Sequence, residues 1–465
     1  MLPSERARRY AVIELGKRAG ASAEDISRWR ISSDEHHTVV FPDPGSSKTV
    51  RFPRAHHTFF DRLSTTEARV ARASAAATEA VYPTHRGDLI VPYCSDVTNT
   101  DGRPLFTRYE DEIMHCACDL LSSLLLVLGR FEELQSQRIT DSHGRFPATA
   151  SLAYQQGYLE RPIVDEWGMA FGRALIKLMP KWKPLDRKLR VKLSHDIDTV
   201  GIPFYWKSTL EHTTRRYDPI STLRDVLALM TDVEPTFLRR VIDIAQKSID
   251  HGVNSAVYWK ASPSSESASD SGYDPRHPKI KRVMEWLRKN GVEQGIHPGY
   301  LTFNAVDELA LELQILQQAI GEKKMGGRQH FLRWAPQTWE HWERCGLAYD
   351  STVGFADHVG FRAGTCHPYR PWLLWKDREA DLLEIPLIVM DGTLVDYMKL
   401  SPEKSYEAIS RMLDECRKVG GVFTLLWHNS TLTNPSYGDT YDKVLELVRG
   451  AQHFDWESAV RLVAA

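Results

Sequence analysis

The residues that could do chemistry sit where apolar runs stop. In KLRVKLSHDIDTVGIPF, residues 188–204, apolar side chains alternate at Leu189, Val191 and Leu193 and then give way to His195, Asp196, Ile197 and Asp198. In an extended strand Asp196 and Asp198 point to the same side. Two carboxylates so placed repel unless a cation lies beside them or one keeps its proton. A divalent metal and a general base account for the pair. Capping of the following turn, common for aspartate, accounts for it about as well from this stretch alone.

Other apolar runs end in the same way. GIHPGY places His297 before Pro298 and Gly299, LLWHNS places His428 after an apolar run, and GRQHFLRWAP carries Arg328, His330 and Arg333. Each histidine alone reads as an ordinary satisfied polar residue. Four strand ends carrying Asp, His or Arg together point to one site.

The elements that must position these groups follow from periodicity. Residues 1–185 form one unit, with strand-like HHTVVF and KTVRFP, a long apolar helix from about 110 to 135, and a helical stretch through PIVDEWGMAFGRALIKLM. Pro184 in KWKPLD marks a boundary, and the expected domains are 1–185 and 186–465. From there RVKLSHD, VNSAVYWKA, EQGIHP, HFLRWA, LLEIPLIVM and GVFTLLWHN read as strands. Between them TFLRRVIDIAQKSIDHG, PKIKRVMEWLRKNG and VDELALELQILQQAIG read as helices. This alternation implies an α/β fold with a parallel sheet, and so many units suggest a barrel. The serine-rich ASPSSESASDSG, residues 261–272, reads as a mobile loop on the face where barrel enzymes keep their chemistry.

Bulk properties narrow the partners. Of 465 residues, 42% are hydrophobic and 26% charged, and the net charge is -2, so neither nucleic acid nor an anionic membrane is favoured. The apolar LLSSLLLVLG, residues 120–129, is too short to span a bilayer, so no membrane-spanning segment is expected. The charged N-terminus does not read as a secretory signal, and six scattered cysteines suit reduced thiols, so the expected location is cytoplasmic. His115, Cys116 and Cys118 are read as part of the helix in EIMHCACDLLSSLLLVLGRFEEL rather than as metal ligands.

At this point the chain resembles the polysaccharide deacetylase (NodB-homology) family of metal-dependent carbohydrate esterases, over roughly residues 186–465. The resemblance implies a distorted (β/α) barrel of about seven parallel strands, preceded here by a smaller mixed α/β N-terminal domain. SHDID is similar to the family's first motif, which makes Asp196 the catalytic base and Asp198 a metal ligand. IHPGY falls at the metal-histidine motif and gives His297 as a ligand. LRWAP resembles the motif whose arginine orients the base, hence Arg333, and LLWHN implies His428 as general acid. GGRQHFLRW, YDSTVGFADHVGFRAGTCHPY and LLEIPLIVMDGTL, with DSHGRFPATASLAYQQGYLERPIVDEW before them, look like a branch associated with bacterial surface polysaccharides.

One position departs from that pattern. The family's second histidine, four residues after the first, is Leu301 here and cannot bind metal. A catalytic zinc generally takes three protein ligands. His330 is the preferred replacement because imidazole suits a transition metal; Asn304, Tyr300 or water are the alternatives.

The resemblance thus implies one divalent metal, zinc, and hydrolysis of an N-acetyl group on an amino-sugar glycan or activated sugar. Arg362, His367 and Tyr300 are candidate substrate contacts, while Phe355, Phe361 and Tyr369 suit packing equally well. Cys366 reads as a buried thiol, and Trp259 and Trp427 as either a sugar floor or core. The competing reading is a glycan-binding or assembly protein with lost or altered catalysis, fed by Leu301. Hydrolysis of a non-sugar amide is a third.

Overall fold

The computed structural model describes residues 3–43, 45–55, 69–74, 88–94, 96–134, 139–201, 219–262, 270, 272–457 and 459. The chain opens with helix Glu5–Ala19, capped by the Ser4 hydroxyl at Ala7 N–H and closed by Gly20 in the left-handed region at φ 91°. The first five-stranded sheet contains β1 (Arg30–Ser33), β2 (His37–Phe41), β3 (Thr49–Pro53), β6 (Phe106–Glu110) and β7 (Ile113–Cys116), in the order β1-β2-β3-β7-β6. β4 (Val70–Ser74) and β5 (Asp88–Pro92) form a separate antiparallel pair. Helix Ile163–Leu178 packs on helix Glu5–Ala19 through two glycines: a Cβ on Gly168 would meet Arg18 Cβ at 2.2 Å, and one on Gly172 would meet the Ala19 carbonyl at 2.7 Å.

The expected helix from about 110 to 135 is two kinds of structure. Ile113–Cys116 is a strand paired with β3 and β6, and the helix begins only at Leu120. Asp119 decides the change, because its carboxylate accepts from Ser122 N–H and Ser122 Oγ and so caps the helix there.

The second half is built on parallel strands: β8 (Arg190–Ile197), β9 (Ser255–Trp259), β10 (Glu293–Ile296), β15 (Val389–Met390) and β16 (Val422–Leu426), ordered β10-β9-β8-β16-β15. β17 (Gln452–His453) joins the start of β8. β11 (Tyr349–Asp350) pairs in parallel with β14 (Leu383–Glu384), and bridges through Gly327 link Ile296 to Asp350. A short antiparallel pair, β12 (Trp372–Leu373) and β13 (Arg378–Glu379), stands apart. The run LLEIPLIVM is thus two short strands, divided around Pro386, which has no N–H to give a ladder. Its start pairs with β11 and its end with β16. Hydrogen-bonded ladders do not close this sheet into a ring among the described residues.

The strands of β9 and β16 are buried at every position, as a sheet covered on both faces requires. Helices Thr236–Asp250, Pro278–Lys289 and Val306–Ile320 lie where the periodicity predicts them and, like helix Pro402–Lys418, bury their apolar stripes. HFLRWA, by contrast, is a turn and not a strand: His330–Leu332 is a 3-10 turn with Phe331 at φ 59° and Leu332 at φ 53°, angles that no strand can continue. The mobile-loop expectation for 261–272 falls mostly on residues outside those described. Among the described residues, no helix is long and apolar enough to cross a membrane.

Candidate active site

Asp196, Asp198, His297, His330 and His428 line one cavity of about 240 Å³ at the C-terminal ends of the parallel strands. β8 delivers the aspartates. His195, just before them, turns into the core, where its Nδ1 meets the Trp427 carbonyl at 2.8 Å and burial lowers its pKa to about 4. Asp196 is buried and accepts from Arg328 Nη1 at 3.0 Å. Asp198 follows the strand end. Its Oδ1 lies 3.2 Å from His297 Nε2 and 3.0 Å from His330 Nε2, and its Oδ2 lies 3.5 Å from His428 Nε2. Burial would raise this carboxyl, but the His330 and His297 imidazoles hold it well below the usual carboxylate range.

Both neighbouring imidazoles are aimed from behind. His297 Nδ1 bonds the Arg328 carbonyl at 2.7 Å, which leaves Nε2 for the cavity. That atom is buried without an aligned hydrogen bond, and burial pushes the His297 pKa down, towards the neutral imidazole that ligates. His330 Nδ1 lies 2.7 Å from Asp270, which also takes Lys260 Nζ at 2.6 Å and Tyr300 N–H at 2.9 Å. A carboxylate behind a histidine in this way fixes the tautomer of a metal-ligating ring.

The donor set fits a metal ion. One ligand atom from each of Asp198, His297 and His330 lies within 4.8 Å of the other two. Around a tetrahedral zinc with bonds of about 2.0 Å, ligand atoms stand about 3.3 Å apart, close to the two spacings from Asp198 Oδ1. Leu301, at the position of the resembled family's second histidine, is 41% exposed and does not line the cavity. Asn304 is exposed on the following turn.

His428 is held by a residue to which sequence reasoning gave no role. Asp391 Oδ1 lies 2.6 Å from His428 Nδ1 and Oδ2 accepts the His428 N–H at 2.8 Å. Burial lowers the imidazole's pKa, yet Asp391 outweighs it and raises His428 to about 10. The ring is therefore protonated at neutral pH, with Nε2 towards Asp198.

Three expected roles are corrected. The guanidinium at Asp196 belongs to Arg328, which also bonds Ser194 Oγ and the Ser351 carbonyl; a bridged glycine, Gly327, brings it against β10. Arg333 lies past the left-handed turn, where it donates to the His143 and Tyr300 carbonyls and stacks on Tyr300. Arg362 is buried and spends its fork on Glu133, at 3.0 and 2.6 Å, joining the first half of the chain to the second. His367 is buried too, with Nε2 3.1 Å from the Val419 carbonyl, so neither residue faces the cavity. Tyr300 is half-buried beside it: its Oη bonds His143 and its ring backs Phe331. Trp259, Trp427, Phe355, Phe361, Tyr369 and Cys366 are buried.

A family of unknown function, DUF7033, matches residues 36–180. No curated protein matches the chain. Among solved structures, a protein from Mycobacterium smegmatis described as a polysaccharide deacetylase is 16% identical, with a TM-score of 0.42, covering 61% of this chain and 92% of its own. The Puue allantoinase is 11% identical at a TM-score of 0.41, again over 61% and 92%. A protein from Pseudomonas aeruginosa PAO1 described as a polysaccharide deacetylase is 12% identical at 0.38, over 59% and 91%. Likenesses this loose fix neither family nor reaction.

Proposed function

We propose that the chain is a metal-dependent hydrolase that removes the N-acetyl group from an amino sugar of a surface polysaccharide or its precursor. Residues 186–465 would form a distorted (β/α) barrel and residues 1–185 its N-terminal domain. The observation that carries this reading is the presence in one cavity of Asp196, paired with Arg328, and His428, charged by Asp391. A carboxylate base and a protonated imidazole acid in one cavity are the pair that amide hydrolysis needs. Binding alone needs neither, which disfavours a glycan-binding role.

Asp198, His297 and His330 would hold the ion, which when bound acidifies water and polarises a carbonyl. Asp196 takes the proton of the attacking water, and Arg328, at 3.0 Å, aims that carboxylate. His428 gives its Nε2 proton to the departing nitrogen, which leaves as a neutral amine rather than an amide anion. Phe331, Leu332, Met390 and Tyr397 wall the cavity with apolar and aromatic surface, suited to a sugar ring.

The test is acetate release from N-acetylated amino sugars and oligosaccharides by the zinc-loaded protein. The reading expects release by wild type and its loss in Asp196→Asn and His428→Gln. Glycan binding without release would establish the binding-only role, and turnover of cyclic amides alone would move the substrate class.

A further inference from the structure

The turn that carries His330 is strained. Phe331 and Leu332 are consecutive non-glycine residues in the left-handed region, at φ 59° and 53°. Such conformations are unfavourable for side chains with a Cβ and persist only where the surroundings over-determine them. Tyr300 packs on one side of the turn, and the first half of the chain supplies further contacts. Arg145 is 4% exposed and lines the cavity; its Nη1 donates to the Phe331 carbonyl at 3.0 Å, its Nη2 to Tyr397 Oη at 2.8 Å and its Nε to Asp141 at 2.7 Å. From the same loop the His143 ring lies 4.5 Å from Phe331, and the His143 carbonyl takes Arg333 Nε at 2.9 Å. Leu301 gives the physical context. The candidate third ligand stands on the neighbouring segment, on a turn that does not hold its shape by local propensity.

We propose that Arg145 is a positioning residue for the metal centre: by holding the Phe331 carbonyl it keeps the left-handed turn in place and His330 Nε2 within reach of Asp198. This rests on the reading of Asp198, His297 and His330 as metal ligands. It makes the loop 141–145 part of the centre, so the N-terminal region is not a detachable accessory.

The test is cobalt(II) titration of the full-length protein, read by dissociation constant and by the visible absorption of the bound ion. Wild type, Arg145→Gln, Arg145→Lys, His297→Ala and His330→Ala are compared, with melting curves as the folding control. Arg145→Gln is expected to bind cobalt roughly 10- to 100-fold more weakly, the range for lost outer-shell partners, with an altered absorption spectrum. Arg145→Lys keeps the charge beside Asp141 but cannot serve Phe331 and Tyr397 together. It decides the matter if Arg145→Gln does not fold, and a weaker, spectrally altered site is expected there also. Wild-type affinity and spectrum in the folded arginine variants, with His330→Ala weakened, overturns the role of Arg145. A wild type that binds no cobalt, or that is matched by His297→Ala and His330→Ala, overturns the metal reading itself and takes this inference with it.

Discussion

Asp391 grips His428 at two points, its Oδ1 2.6 Å from the imidazole Nδ1 and its Oδ2 taking the backbone N–H at 2.8 Å. The first contact fixes which ring nitrogen faces the cavity, and the carboxylate's charge keeps the ring protonated. Asp391→Asn keeps the shape and removes the charge. It should lower kcat for acetate release by roughly 100-fold, the scale of a lost general acid, with little change in KM, since the proton moves only in the transition state. An unchanged kcat would show that the Asp391 charge is not what makes His428 an acid.

Arg328 and Arg333 separate in the same assay. Arg328→Lys loses the Nη1 that bonds both Ser194 and Asp196, and with it the Nε and Nη2 contacts to Ser351 that aim it. It should reduce kcat at least roughly 10-fold and lower the melting temperature. Arg333→Lys weakens two carbonyl contacts and the stacking on Tyr300 and Phe303, outside the cavity lining. Its cost should be about 1 kcal/mol of stability, with the smaller effect on turnover. The reverse ranking would return the orienting role to Arg333.

His367 gives a pH dependence remote from the cavity. Burial lowers its pKa from 6.5 to about 4, so the folded state binds fewer protons than the unfolded chain between these values. Its contribution is therefore fully present above pH 6.5 and is lost as pH falls towards 4, by up to about 3 kcal/mol. Urea unfolding of wild type and His367→Gln at pH 7 and pH 4.5 isolates this contribution by difference. The variant should lose less stability on acidification, and parallel losses would contradict the assignment.

The strand ends were the legible part of this molecule. Asp196, Asp198, His297 and His428 follow apolar runs that the periodicity identifies, because residues two apart on a strand share a side and the C-terminal ends of parallel strands converge. Asp391 ends the run LLEIPLIVM and carried the same signal. Arg328 was harder to place, because two arginines flank the HFL stretch and only the left-handed angles of Phe331 and Leu332 decide which one turns back towards Asp196. Asp270 lies in a serine-rich stretch with no periodicity, and Arg145 acts from the other half of the chain. Arg362 and His367 looked like ligand-binding groups by type alone. Their carboxylate and carbonyl partners come from distant segments that no local pattern announces.

Divalent metal bound per chain in the purified full-length protein, measured beside His297→Ala and His330→Ala, tests the central claim most directly. About one ion per chain in wild type, lost in both variants, is the predicted result, since affinity resides in the complete ligand set. Loss in His297→Ala alone would keep the ion and remove His330 from its ligands. No metal in wild type, even after zinc or cobalt is supplied, would contradict the hydrolase account.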